Sequence, residues 1–408
     1  MIKKAIPRAL SPEEVGVSSA GIAAILQDYA EKNIESHSLM IIRHGKVAYE
    51  AFRKPYGPDL AHTMYSVSKS VTATAAGFAV SEGLLTLDTK LIDIFPEYRP
   101  AKEDENLEKI TLHTLLTMTA GKAVSLMADK TSKNWVKDFI NTKQGYAPGE
   151  AWSYISENTY CVGAMVSKVA GMSLTEYLKP RLYEPLGIES AQWERDSQGQ
   201  ETGGWGLFLK TEDLAKIALC YLNKGIFEGK QVIPADWIEI ATKNHVAEIG
   251  VENGAPEDGY GYFIWGCGCS EQTCRFDGMF SQFAYIFGTK DAVVVMTDNE
   301  INEAKARECL EAHVEELFFD SEAPQAVEIP KWEDLPEIEA AERQPEREKK
   351  IEGKTIKLTP NYILSAIGLP LSILTFPAIY MNAVKPGPID NIKFNFYEDE
   401  CTMYWTEG

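Results

Sequence analysis

Residues 64–81 read M-Y-S-V-S-K-S-V-T-A-T-A-A-G-F-A-V-S, and the rest of the chain is interpreted from them. Ser66 and Lys69 stand three positions apart, followed by a run of small and apolar residues that favours helix and leaves little bulk. On a helix, residues at this spacing share a face, so Lys69 falls one turn behind the Ser66 hydroxyl. Ser66 itself suits a helix N-cap. A lysine buried among apolar neighbours loses its proton more readily, and a serine beside such a base at a helix N-terminus can attack a carbonyl. Ser-x-x-Lys also recurs by chance, so its meaning depends on partners farther along the chain.

Composition narrows the options. The 408 residues are 45% hydrophobic, enough for one large domain and a smaller unit, and the formal net charge is −20. That balance excludes nucleic acid as a partner bound through a basic patch. Seven cysteines, an odd number spread through the chain, read as reduced thiols rather than a disulfide framework. Cys267, Cys269 and Cys274 cluster in C-G-C-S-E-Q-T-C, but the spacing matches no common zinc pattern, and the reading is a surface hairpin with no metal. The N-terminal M-I-K-K-A-I-P-R-A-L-S-P-E-E is basic but lacks an apolar core segment. It does not read as a signal peptide, which places the protein in the cytoplasm.

Outward from residues 64–81, the segment 11–32 opens S-P-E-E and continues as an amphipathic helix. Residues 38–52 form a hairpin turning at His44-Gly45-Lys46, with His44 as a turn residue. A helix over 110–121 stops at Gly121 and carries His113 in a structural role. The polar stretch 122–145 is a cap over the pocket and contributes Trp135. A Pro-Gly turn then delivers Tyr154, Ser156 and a further helix through Gly171, and 211–225 is helical. Residues 257–265 and 275–297 read as antiparallel strands, and a helix over 301–319 packs on that sheet.

These elements define residues 1–320 as one domain, an acidic, four-proline linker over 321–352, and a small β-rich unit over 353–408 whose last strand runs to the end of the sequence, leaving it incomplete. Within that unit, 359–384 is long and apolar enough to span a membrane, but Pro370 and Pro377 interrupt it and no basic cluster flanks it. A buried hairpin or interface segment is the preferred reading, with membrane association confined to this stretch. No feature of the sequence reports an oligomeric state.

Several motifs in order then carry a resemblance. S-V-S-K, L-L-T-L-D-T-K-L-I-D-I-F-P, I-T-L-H-T-L-L-T-M-T-A-G, P-G-E-A-W-S-Y-I-S, G-G-W-G-L-F-L-K-T-E-D-L-A-K and F-D-G-M-F-S-Q lie within residues 8–318. Together they resemble the serine β-lactamase and penicillin-binding-protein superfamily, and more closely its class C-like esterase and amidase branch. The resemblance implies an α+β fold in which an antiparallel sheet is flanked by N- and C-terminal helices and joined to an all-helical subdomain. It implies Ser66 as nucleophile, Lys69 as its base and Tyr154 as the proton relay to the leaving group, with the backbone N–H groups of Ser66 and Met279 as oxyanion hole. Neither a metal nor an organic cofactor is implied.

The chain departs from the family at two places. The Asn of its Tyr-x-Asn motif is Ser156 here, with Asn158 two residues on as a substitute, and its Lys-Thr-Gly strand is replaced by Phe276-Asp277-Gly278. Those five residues are the expected substrate contacts, Gly278 by letting substrate lie against the strand edge. Asp277 is expected either as a structural hydrogen-bonding anchor or at the pocket rim, where it would favour cationic substrates. Loss of the basic strand residue weighs toward a small-molecule ester or amide substrate. The alternatives are a β-lactamase or D-alanyl carboxypeptidase and, from another class, a non-catalytic binding protein retaining the fold.

Overall fold

The computed structural model describes residues 5–102, 104–122, 134–196, 198–335, 343–357, 389–397 and 401–407. The N-terminal helix expected from S-P-E-E is two elements. Pro12–Val15 form a short 3-10 turn, the chain breaks at Gly16 with φ +73°, and helix α1 (Ser19–Glu31) starts on its own cap, the Ser18 hydroxyl accepting from the Gly21 N–H. Gly16 is required there, because a Cβ would sit 2.6 Å from the Phe319 carbonyl oxygen and against the Arg43 guanidinium.

Strands β1 (Ser36–Arg43) and β2 (Lys46–Phe52) form the expected hairpin, turned by His44 and Gly45, both at positive φ. Helix α2 (Val67–Ser81) follows, then α3 (Trp135–Asn141), α4 (Ser156–Ala170) and α5 (Thr211–Leu222). The helix expected to run to Gly121 is shorter, Leu112–Leu116, and is capped by Thr111. His113 bonds the Tyr262 hydroxyl through Nδ1 at 2.9 Å, a structural contact.

Strands β3 (Trp265–Cys267), β4 (Thr273–Gly278), β5 (Gln282–Phe287) and β6 (Ala292–Asp298) complete a six-stranded antiparallel sheet in the order β2-β1-β6-β5-β4-β3. The strand expected over 257–265 is mostly irregular. Phe263 takes φ +55°, and a Cβ at Gly261 would meet the Ala241 carbonyl oxygen at 2.1 Å, so the backbone is pressed against a helix end instead of pairing.

Alternation along the strands feeds two cores. On β1, Leu39 and Ile41 belong to the core shared with α1 and helix α6 (Glu303–Ala312), while Met40 and Ile42 belong to the larger core that α2, α4 and α5 also enter. All eight residues of β1 are buried as a result. The helix expected over 301–319 breaks at His313 into α6 and a turn at Val314–Leu317. Helix α2 lies between the sheet and the helical region, and every residue from Val67 to Ala79 is buried. This explains its small side chains: a Cβ on Gly77 would lie 2.4 Å from the Trp237 ring.

Residues 321–335 are exposed or half-buried and free of regular structure, and their end docks on the sheet edge, where Leu335 N–H donates to the Lys54 carbonyl at 3.0 Å. Within the stretch expected as linker, Pro345–Ile351 is helical. Strands β7 (Thr355–Lys357), β8 (Ile389–Phe396) and β9 (Cys401–Glu407) pair antiparallel in that order. The apolar segment 359–384 lies outside the described residues. Among the described residues no helix is long and apolar enough to cross a membrane.

Candidate active site

Ser66 sits at the entrance to α2 with φ −72° and ψ −9°, and its hydroxyl makes no capping bond. The expectation of a side-chain N-cap is therefore corrected. The hydroxyl is engaged instead by Lys69, whose Nζ donates to Ser66 Oγ at 2.9 Å and to the Gly204 carbonyl at 2.7 Å. Tyr65, at φ +43°, makes the sharp turn that presents Ser66, and its ring packs edge-on against Phe280 at 5.2 Å.

Lys69 is 1% exposed. Burial pushes its ammonium down to about 7, with Glu157 and then Asp277 opposing the shift electrostatically. Lys69 is thus held close to the boundary between its charged and neutral forms, and the neutral amine can accept the Ser66 proton across the same 2.9 Å.

Tyr154 stands just before α4 and completes the group, with its ring centroid 4.9 Å from Lys69 Nζ. The residue is 36% exposed, yet its hydroxyl end is desolvated enough to hold the phenol well above its usual range, an effect partly offset by a hydrogen bond with Ser66. Tyr154 therefore stays a phenol at any working pH, able to hand on a proton but not to initiate the attack as phenolate. Trp265 and Trp152 flank its ring at 5.5 and 5.9 Å, and Tyr260 packs on Trp152 at 5.3 Å. Trp135 opens α3 against Tyr160 and Trp205, at 5.1 and 5.7 Å, while residues 123–133 of the expected cap lie outside the described residues.

The end of β4 is pressed onto the start of α2. A Cβ built on Gly278 would meet the Met64 carbonyl oxygen at 2.5 Å and the Val67 nitrogen at 3.2 Å. The glycine is thus required by the chain's own backbone, a demand additional to the expected one of letting substrate lie along the strand edge. The turn that follows carries Met279 and is held by Gln282, whose Nε2 donates to the carbonyls of Met279, Phe280 and Asp298 at 3.2, 3.0 and 2.7 Å. Phe276 has no exposed surface and packs edge-on against Tyr221 at 5.1 Å, so the expected contact of its side chain with substrate is corrected.

Asn158 is 1% exposed, with Nδ2 3.3 Å from the Met118 sulfur and its buried Oδ1 without a hydrogen-bond partner among the described residues. Ser156, buried at the start of α4, lies against Gly204, where a Cβ would come within 3.3 Å of the Ser156 Cβ. It backs the peptide that holds Lys69, a position that a larger side chain would disturb.

Asp277 is anchored. Its Oδ2 accepts from Arg275 Nε at 2.8 Å, and both side chains are about one-tenth exposed. Replacement of Asp277 by Ala is accordingly expected to cost roughly 3 kcal/mol of stability, since it strands a buried guanidinium. The conservative Asp277→Asn should leave the ratio of kcat/KM for cationic and anionic p-nitrophenyl esters within about twofold, as chemical denaturation and steady-state kinetics can check. A tenfold change in that ratio would return Asp277 to the pocket rim.

Four contributors escaped the sequence reading: the Gly204 carbonyl, Glu157, Trp152 and Tyr260. The repeated glycines of G-G-W-G were the available signal for the first.

Comparison with known proteins agrees with this architecture. The sequence model of the beta-lactamase family matches residues 22–315. The 6-aminohexanoate-dimer hydrolase of Paenarthrobacter ureafaciens is 22% identical over 307 residues, covering 70% of this chain and 78% of that protein. Esterase EstB of Burkholderia gladioli is 26% identical over 210 residues, covering 44% of this chain, so the match spans about half (53%) of the esterase. Among solved structures, a putative 6-aminohexanoate-dimer hydrolase from Bacillus anthracis superposes with TM-score 0.61 at 20% identity, covering 77% of this chain and 89% of its own. EstCE1, described as a hydrolase with promiscuous acyltransferase activity, gives 0.62 at 16% identity, covering 75% and 100%. At these identities the superpositions speak to the fold.

Proposed function

Because the chain belongs to the beta-lactamase family, we propose that it is a serine hydrolase cleaving a small ester or amide through an acyl-enzyme on Ser66. The observation that carries this reading is the buried Lys69 amine, poised near neutrality 2.9 Å from the Ser66 hydroxyl. Neutral Lys69 takes the hydroxyl proton as Oγ bonds to the substrate carbonyl carbon. The oxygen of the tetrahedral intermediate receives hydrogen bonds from the N–H groups of Ser66 and Met279, an assignment supported by the close approach of Gly278, which precedes Met279, to Val67, which follows Ser66. Tyr154 passes a proton to the departing alkoxide or amine, and water then releases the acid.

Ester or amide substrates are favoured over β-lactams and D-alanyl peptides by the state of β4. Arg275, the one cation in its sequence, is engaged with Asp277 and with the Gly266 carbonyl at 2.9 Å. It is therefore not held ready for a substrate carboxylate. The seven cysteines are all free thiols, which suits a reducing compartment, and we place the enzyme in the cytoplasm on that basis. We further assign the hydrolase to residues 1–320, a linker to 321–352 and a separate small unit to 353–408.

A fluorophosphonate probe tests the reading without knowledge of the substrate. One adduct per folded chain is expected, mapped to Ser66 by peptide mass spectrometry and absent after Ser66→Ala. A folded protein that takes up no probe at Ser66 would favour the binding-protein reading. Rapid turnover of penicillin would instead restore the β-lactamase alternative.

A further inference from the structure

The β3–β4 hairpin carries three thiols within C-G-C-S-E-Q-T-C, residues 267–274. Strand alternation separates them. Cys274 packs into the core on the α2 side, whereas Cys267 faces α1 and α6, and Cys269 returns beside it just past the end of β3. The two sulfurs are 2.7 Å apart. From α6, Glu311 brings Oε1 to 3.6 Å from the Cys267 sulfur, and the three ligand atoms all lie within 4.8 Å of one another. The Tyr285 hydroxyl, from β5, donates to that same Oε1 at 2.7 Å and fixes the carboxylate. Cys267 is buried, while Cys269 and Glu311 are half-buried and Gly268 between the thiols is exposed, so an ion has a path in from solvent.

Two separate thiols at 2.7 Å are inside van der Waals contact, and ionising both beside a carboxylate would gather three negative charges. A dication removes that conflict. A tetrahedral zinc ion with bonds of ~2.3 Å to sulfur and ~2.0 Å to oxygen needs sulfurs ~3.8 Å apart and a sulfur–oxygen separation of ~3.5 Å. The Cys267–Glu311 separation of 3.6 Å already meets the second requirement. The first requires the two sulfurs to part by ~1.1 Å, a movement asked of Cys269, which is half-buried and lies past the end of β3. Thiolate ligands select zinc over magnesium or calcium, which prefer all-oxygen sets.

We propose that Cys267, Cys269 and Glu311 bind one zinc-class divalent cation, with water in the fourth position. The site pins the β3–β4 hairpin to α6. Since β3 begins at Trp265, the ion also steadies the aromatic wall beside Tyr154. The proposal does not depend on the hydrolase reading.

The test uses the full chain, reduced and stripped with a chelator, then titrated with Co2+ and afterwards Zn2+. One equivalent of Co2+ should bind with intense thiolate-to-cobalt absorption in the near ultraviolet, and Zn2+ should displace it and raise Tm. Zn2+ should also protect Cys267 and Cys269, but not the exposed Cys401, from iodoacetamide as mapped by mass spectrometry. Tyr285→Phe should weaken Zn2+ binding ~10–100-fold by freeing Glu311, and Glu311→Gln should weaken it at least as much. Absence of the charge-transfer band overturns the proposal, as does equal Zn2+ uptake by the Cys267→Ser/Cys269→Ser variant. Should that variant fail to fold, the protection pattern in the unaltered chain decides: alkylation of Cys267 and Cys269 unchanged by Zn2+ overturns it. Recovery of a Cys267–Cys269 disulfide in place of metal, from protein purified without reductant, also overturns it.

Discussion

Replacing Ser66 by Ala is expected to lower kcat for p-nitrophenyl acetate by roughly 10⁴- to 10⁶-fold, because an intact nucleophile accounts for most of the acceleration in a covalent mechanism. That corresponds to about 5–8 kcal/mol of transition-state stabilisation. The fold should survive, since Ser66 makes no capping bond and, among the described residues, its hydroxyl meets the site's own groups, Lys69 and Tyr154. Circular dichroism and the denaturation midpoint should therefore change little. Burst kinetics supply the second arm: the parent should release one equivalent of p-nitrophenol faster than its steady state wherever deacylation limits turnover. Equal background rates in parent and variant would show that the protein kept the architecture and lost the chemistry.

Lys69 should show the opposite balance between activity and stability. The parent kcat/KM should rise with pH through about 7, where the buried amine loses its proton, and then level off. Lys69→Met should abolish that limb and reduce kcat/KM by roughly 10²- to 10⁴-fold. Glu303 is also pushed up to about 7, mainly by burial and then by Asp277, but its Oε1 accepts from the Phe280 N–H and it does not contact Ser66. Glu303→Gln should therefore keep the limb, which assigns it to Lys69.

Stability follows from the same shift. The native Lys69 releases its proton near 7 and the unfolded chain near 10.5, so between these values the unfolded state binds more protons and stability rises with pH. Below about 7 both states are protonated and the full cost of the buried charge is felt. The stability of Lys69→Met relative to the parent should thus grow as pH falls from 10.5 toward 7, and stay constant below. A gap that shrinks over that interval would mean that Lys69 is not desolvated as the geometry requires. Part of the gain is offset by the Gly204 carbonyl left without its donor, at about 1–3 kcal/mol.

The parts of this protein legible without coordinates are those written in local periodicity. Three-residue spacing places Lys69 behind Ser66, and a run of small residues means a helix buried on all sides, as Val67–Ala79 is. Apolar runs such as 39–42 and 292–296 mean strand segments covered on both faces, and the order of motifs along the chain pointed to the fold. Element ends were less legible: S-P-E-E signals a helix start, but Gly16 has to make room for Arg43 and Phe319, contacts that lie far away in sequence.

The remainder was decided by packing between distant segments, where no period exists to read. Lys69 finds its second acceptor 135 residues away at Gly204, and the Cys267 sulfur meets Glu311 across 44 residues. Motif position suggested that the Phe276 side chain meets substrate, yet the ring fills the core against Tyr221, and only the packed structure shows that Gly278 must also admit the Met64 carbonyl. The residue type at a position states what chemistry is available. Whether that chemistry meets solvent, substrate or the chain's own backbone depends on which surfaces close over it, and that is settled only when the sheet and the helical region pack together around α2.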